Sequence, residues 1–175
     1  MKKIQHLALV LALVILTAAC GTKSTYIPTP GAQTLNQADG FKVGQVSDLS
    51  GFQFKAGDSD AFDLKDAMTS ALRAAIAGQG LTGDGYSVDV NILAYEPGSA
   101  FARWLMPGAG ATKLTVEASI ADKSGAQVAK IPVERHISAG GGFTIGADKY
   151  IFEDVAKAIV TVIKNPAKAP APVGQ

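Results

Sequence analysis

The single thiol of the chain is the residue with the clearest chemical potential. Cys20 is the only cysteine among 175 residues. It follows a basic start (Met1–Lys3), an uncharged apolar run (Leu7–Leu16) and three small residues (Thr17–Ala19). This order of basic start, apolar core and small residues is typical of a secretory signal peptide. Because the run is shorter than the ~20 apolar residues that cross a membrane, we expect residues 1–19 to be a signal peptide that is removed.

The residues around this cysteine resemble the lipobox of bacterial lipoproteins. Positions 17–20 read Thr-Ala-Ala-Cys, and Leu16 stands one place before the usual leucine position of the box. The resemblance implies a diacylglyceryl cysteine at Cys20, cleavage just before it, and an acyl chain such as palmitate on the new amine. The alternative is a buried core cysteine, but nothing around Cys20 could build a core. Gly21 stands where some lipoproteins carry an inner-membrane retention Asp, so the resemblance implies the outer membrane, facing the periplasm.

Other residues with catalytic potential stand alone in the sequence. His136 is the only histidine after the signal, so a catalytic triad or a metal site would lack partners. The stretch Gly108–Lys113 lacks the spacing of a phosphate-binding loop and precedes a strand pattern rather than a helix. Asp58 and Asp60 are only a fragment of a calcium loop. We therefore expect no enzymatic activity, no cofactor and no metal.

One long connection contains residues suited to a contact surface. Residues 97–111 join two predicted strands and hold the only tryptophan of the chain. Connections of this length are often functional, and exposed apolar patches mark interaction sites. Either the connection folds back over an open end of the sheet, or it presents a patch to a partner or a lipid surface, where the arginine would favour an anionic contact. The candidate residues of this interaction loop are Phe101, Arg103, Trp104, Leu105 and Met106.

The charge balance excludes one class of partner. Removal of Lys2 and Lys3 with the signal reduces 16 basic residues to 14, against 15 acidic ones, so the mature net charge is −1. Nucleic-acid binding requires clustered Lys and Arg, which this chain lacks. We expect no nucleic acid as a partner.

Hydrophobic periodicity predicts an α+β domain. Leu64–Ile76 and Ile151–Ile163 have helical spacing, and Asp60 or Asp63 could cap the first helix. The order is strand, helix, three strands, helix, which predicts a two-layer sandwich. In it a mixed four-stranded sheet has two helices on one face, with strands one and two parallel and the rest antiparallel. The predicted strands are Phe41–Val46, Tyr86–Ala94, Leu114–Ile120 and Val128–Ile137.

Two further features refine this prediction. Pro132 cannot donate to a central ladder, which predicts that the last strand lies at an edge or contains a bulge. The sheet face away from the helices is expected to be solvated, with Asp89, Asn91, Glu117 and Arg135 on it.

The composition divides the chain into four parts. Residues 1–19 are the expected signal peptide, and residues 20–40 are the lipidated cysteine with a flexible tether of up to ~60 Å. Residues 41–164 are the globular domain. Residues 165–175 alternate Ala and Pro, which is typical of a disordered tail.

The later half of the domain resembles a known family. The stretch WLMPGAGATK and the following LTVEASIADKSGAQVAKIPVE resemble small bacterial lipoproteins of the domain of unknown function 4410. Residues 112–164 carry the likeness, through a Val-Glu strand, an Asp-x-x-Gly turn, a Gly-rich loop and a terminal amphipathic helix. The resemblance implies no catalytic residue, because the family has no established activity.

These observations predict a lipid-anchored protein of the bacterial cell envelope. We expect a non-enzymatic accessory or interaction protein that meets the membrane through lipid on Cys20 and contacts an envelope protein partner. The alternative is a carrier that holds a small molecule or a lipid between the helices and the sheet.

Overall fold

The structure, a computed structural model, describes residues 20–58, 60–99, 102, 110–138 and 146–166. Within these residues the chain forms one open sheet and two helices. The helices are α1 (Leu64–Gly78) and α2 (Ala147–Lys164). The strands are β1 (Cys20–Ser24), β2 (Ile27–Pro28), β3 (Phe41–Asp48), β4 (Tyr86–Glu96), β5 (Thr112–Asp122) and β6 (Gln127–Ile137).

The sheet has six strands, so the predicted number of four is wrong. Its order is β1-β6-β5-β4-β3, with β2 also paired to β6. The two additional strands lie within residues 20–40, the predicted tether: Cys20 pairs with Ile137, and Ile27 pairs with Lys130. The sequence does not predict β1 and β2, because Gly, Thr and Pro dominate this segment and no apolar pattern marks a strand. These strands form because β6 offers a free edge for pairing. The parallel pairing of β3 with β4 and the antiparallel β4-β5-β6 meander are as predicted.

Pro132 lies in an inner strand, at the place where the neighbouring strand is interrupted. The Thr25 amide donates to the Pro132 carbonyl at 3.3 Å, so the proline nitrogen also faces the β1–β2 side. That nitrogen carries no proton and cannot complete the pair with Thr25. The ladder therefore breaks between β1 and β2, and the proline is tolerated without β6 being an edge strand.

Both helices cover one face of the sheet with one apolar stripe each. Met68 and Leu72 of α1, with Ile159 and Ile163 of α2, are fully buried in a single core. Asp63 is the cap of α1, and its carboxylate accepts from the amides of Lys65 and Asp66 at 2.7 and 3.1 Å. A carboxylate satisfies amides that have no partner inside the helix, so α1 begins at Leu64.

The other face of the sheet is polar and half-exposed. The Lys130 ammonium binds the Glu117 carboxylate there at 2.8 Å. The prediction that Arg135 also lies on this face is wrong. Arg135 has the same strand parity as the buried Val133 and Ile137, and its guanidinium binds the Asp154 carboxylate of α2 at 2.7 Å.

Candidate functional site

The topology brings one end of every long element together. Strands β3, β4 and β6 end where β1 and β5 begin, as the pairs Cys20 with Ile137 and Thr112 with Ile137 show. Helix α2 begins at the same end, because the Tyr95 hydroxyl donates to the Asp148 carbonyl at 3.0 Å. We call this the Cys20 end and the opposite one, at the Asp122–Gly125 turn, the Tyr86 end. Since β4 has 11 residues, the two ends are ~35 Å apart.

The 97–111 connection is closed at its base on the Cys20 end. The Thr112 hydroxyl donates to the Pro97 carbonyl at 2.8 Å, and the Ser99 amide donates to the Gly110 carbonyl at 2.9 Å. Gly98 has a φ of +70°, and a Cβ there would overlap the backbone of Gly110 and Ala111. Only glycine fits such a position, so the local sequence holds both ends of the connection against the sheet.

A group of aromatic rings fills the space between helices and sheet at the Cys20 end. Phe52 and Phe152 pack on Tyr95 with ring centroids 5.0 and 5.5 Å away. Phe54 lies 5.1 Å from Phe62. The rings of Tyr95 and Phe152 are buried, whereas Phe52, Phe54 and Phe62 are partly buried. Sequence reasoning missed these three residues because they lie in a turn-rich segment; the signal was their number within eleven residues.

The predicted lipidation residue belongs to the sheet. Cys20 lies in β1 at the Cys20 end, where it pairs with Ile137. The five residues of the predicted interaction loop (Phe101, Arg103, Trp104, Leu105 and Met106) lie outside the described residues. The connection that contains them nevertheless starts and ends at the same end of the molecule as Cys20.

His136 lies on the polar face of the sheet. Its Nε2 is 2.7 Å from the Glu134 carboxylate, and both side chains are more than 40% exposed. The pair is a surface contact between residues two apart on one strand. Among the described residues, no three His, Cys, Asp or Glu side chains are grouped so that they could hold a metal ion.

A groove of about 720 Å³ runs between the two helices on their outer side. Small residues of α1 form one wall, while Phe152 and Val160 of α2 contribute apolar surface. Lys149, Lys157 and Lys164 line its rim. The groove lies outside the helix layer, not between helices and sheet, where the buried core lies.

The described chain contains no helix with the length and apolarity needed to cross a membrane. Its fold is similar to that of a solved protein from Xanthomonas campestris of the family DUF330. That likeness has a TM-score of 0.51 and 14% identity, and covers 81% of this chain and 92% of the other. It supports the α+β architecture alone.

Two weaker likenesses are to the PelC dodecamer of Paraburkholderia phytofirmans. A variant of that protein with one substitution gives a TM-score of 0.43 at 11% identity, covering 82% of this chain and 98% of the other. Another crystal form gives 0.41 at 15% identity, covering 79% and 96%. Both values are too low to support an argument.

The sequence comparison is more specific. No curated protein matches the chain. The family described as domain of unknown function (DUF4410) matches residues 53–141. The match therefore starts in the aromatic segment, well before the predicted 112–164 likeness, and ends before α2. It spans 89 of the 175 residues, and the chain therefore belongs to the family of domain of unknown function 4410.

Proposed function

We propose that this protein is a lipoprotein of the bacterial cell envelope, anchored through Cys20 and acting as a non-enzymatic accessory or interaction protein. The observation that carries the proposal is the order of basic start, apolar run and small residues before Cys20, which is typical of a signal peptide. Cys20 itself belongs to β1, so a chain that starts at this residue keeps β1 through α2. The one residue that can carry lipid is thus also part of the folded domain.

The anchor is strong enough to act alone. Each buried methylene contributes ~0.8 kcal/mol, and a single acyl chain binds a membrane only weakly. Two or three chains on Cys20 would hold the protein almost permanently, without a membrane-spanning helix. The outer membrane, with the domain facing the periplasm, follows from Gly21 by the family rule and is part of the proposal.

Replacement of the thiol tests the anchor. We expect Cys20→Ser to be lost from the outer membrane, either as an uncleaved form held in the inner membrane by its apolar signal segment or as a soluble form. The neighbouring substitution Thr22→Ser is the matched control, because it alters an exposed residue of β1 and keeps the thiol. A Cys20→Ser protein that is cleaved and stays in the outer-membrane fraction would contradict the proposal.

The non-enzymatic role has its own test. His136 is the candidate base, and its contact with Glu134 is solvent-exposed. We expect His136→Ala to restore any envelope phenotype of a deletion strain as fully as the natural protein does. Failure of a stably folded His136→Ala protein to do so would favour an enzyme.

A second candidate, a carrier for a small molecule or a lipid, is favoured by the groove between α1 and α2. Its volume of about 720 Å³ is in the usual range for ligand sites. If the groove binds an apolar ligand, Ala74→Trp should fill it and abolish binding of a fluorescent fatty acid. Binding that survives this substitution would exclude the groove.

A further inference from the structure

We infer that the Cys20 end is a membrane-contacting surface, so that the sheet stands on the lipid bilayer with its strands rising from it. This inference rests on the proposed lipid anchor and goes beyond it. A lipoprotein on a long tether can take any orientation. The structure gives two reasons why this one does not.

The first reason is that the lipid is attached without a spacer. Cys20 is paired with Ile137, and paired strands bring Cα atoms within ~5.5 Å of each other. The predicted tether of residues 20–40 would have allowed ~60 Å. Because β1 begins at the lipidated residue itself, the glyceryl group holds this end of the sheet within a few ångströms of the headgroups.

The second reason is the apolar character of this end. Phe52 and Phe54 are only partly buried there, and their rings pack on each other at 5.0 Å. Leu49, which starts the same segment, is 62% exposed, and its amide donates to the carbonyl of Ile92. Aromatic and apolar side chains of this kind suit the interfacial zone of a bilayer.

The opposite end differs in character. The Tyr86 end carries the Asp122–Gly125 hairpin turn, where Asp122 accepts from the Ser124 hydroxyl at 2.6 Å. Lys123 and Asp84 form an exposed ion pair beside it at 3.4 Å. This end has no lipid attachment point. It has a partly buried apolar residue, Leu35, but among the described residues no large apolar side chain there is as exposed as Leu49.

A further point concerns the chemistry of the bilayer. Charges of both signs lie at the Cys20 end: Asp58 and Lys55 are exposed in the segment before α1, and Asp60 pairs with Lys149 of α2 at 4.0 Å. Because these charges offset each other, we take the contact to be apolar in origin. It should form on zwitterionic vesicles and should be insensitive to salt, because screening weakens only electrostatic contacts.

Site-directed labelling tests the orientation on the full lipidated protein. Lipid occupies the only native cysteine, so an introduced cysteine is the only free thiol. We would attach a fluorophore to Gln53→Cys or Ser99→Cys at the Cys20 end, and to Lys123→Cys at the Tyr86 end as the matched control. All three residues are exposed, so the substitutions should leave the fold intact. The protein would be reconstituted in phosphatidylcholine vesicles that contain a nitroxide-labelled lipid.

We expect the nitroxide lipid to quench most of the fluorescence at positions 53 and 99 and almost none at position 123, in low and high salt alike. Equal quenching at the two ends, stronger quenching at position 123, or no quenching at either end would overturn the orientation. Intact mass is measured on the same samples. A missing lipid mass would overturn the anchor and the orientation together, whereas lipidated protein without the contrast overturns the orientation alone.

Discussion

At the scale of single residues, Gly44 shows how a side chain of one strand can determine which residue the next strand accepts. The register of β3 against β4 shifts between Val43 and Val46. The Asp89 carboxylate accepts from the Gln45 amide at this point, at 2.7 Å. A Cβ on Gly44 would overlap that carboxylate. Gly44 therefore makes room for the carboxylate that binds the free amide at this irregularity of β3.

We expect Gly44→Ala to lower the free energy of unfolding by about 1–3 kcal/mol, the usual cost of overpacking. Urea unfolding of the purified protein would measure it. Gly78→Ala is the control, because a Cβ there contacts nothing within 4 Å and alanine favours a helix end. In a protein that already carries Asp89→Ala, Gly44→Ala should lower the free energy of unfolding by less. If the effects of the two substitutions simply add, the Asp89 carboxylate is not the cause of the destabilisation.

Tyr95 links the aromatic group to pH. Burial, and to a smaller extent the Asp148 charge, raise the pKa of its hydroxyl above the ordinary value of 10.0. The unfolded chain thus ionises first as the pH rises, and the native state loses relative stability above pH ~10. Tyr95→Phe should lower stability by ~1 kcal/mol at neutral pH through the lost hydrogen bond and flatten the decline at high pH. Burial also raises the pKa of Tyr26, so part of the decline in stability with pH should remain in the Tyr95→Phe protein. Denaturant midpoints of the natural protein and of Tyr95→Phe, measured from pH 8 to 11.5, test both expectations. A decline in stability with pH that is equally steep in the two proteins would contradict the role given to Tyr95.

At the scale of elements, β1 is the feature on which the membrane argument depends. Amides of one strand alternate between its two neighbours, and Pro132 faces β1–β2 through its bond with Thr25. The amides of Glu134 and His136 must therefore point at β1. We expect both to exchange hydrogen slowly in the full chain. They should exchange much faster in a variant that lacks residues 20–28, while Val133 and Arg135, which face β5, change less. Fast exchange of Glu134 and His136 in the full chain would mean that residues 20–24 are a free tether.

The elements differ in how well the sequence predicts them. Helices α1 and α2 have long apolar stripes of constant period, and β4, β5 and β6 alternate over 11 residues each, so local patterning specifies them. Strand β1 is five residues long and carries no such signal. Its pairing depends on the unoccupied side of β6, which no local pattern encodes. The position of Arg135 could be read from strand parity, since Val133 and Ile137 share its face.

The sequence predicts a chemistry for Cys20 but not the place of this residue in the fold. Composition and order single out Cys20 without any structure. The sequence alone does not show that Cys20, Pro97 and Phe52 lie at one end of the molecule, because that depends on the direction of every strand. The partly buried phenylalanines were missed for the same reason: the role of a turn-rich segment depends on the elements that it packs against.

At the scale of the whole molecule, the fold is a short column with unequal ends. The proposed lipid attachment point and partly buried aromatic rings lie at the Cys20 end, and both helices run from there to the Tyr86 end, where α2 stops at Lys164. In the proposed orientation, the anchored domain would present its polar sheet face, its helix layer and the Asp122–Gly125 turn away from the membrane. We propose these surfaces for the contact with an envelope partner.

The most direct test of the account is the mass of the amino-terminal peptide from protein purified out of its native membrane. We predict a chain that begins at Cys20 and carries a diacylglyceryl group, with a further acyl chain on the amine. A peptide that retains residues before Cys20, or one that begins at an unmodified Cys20, would contradict the anchor and everything inferred from it.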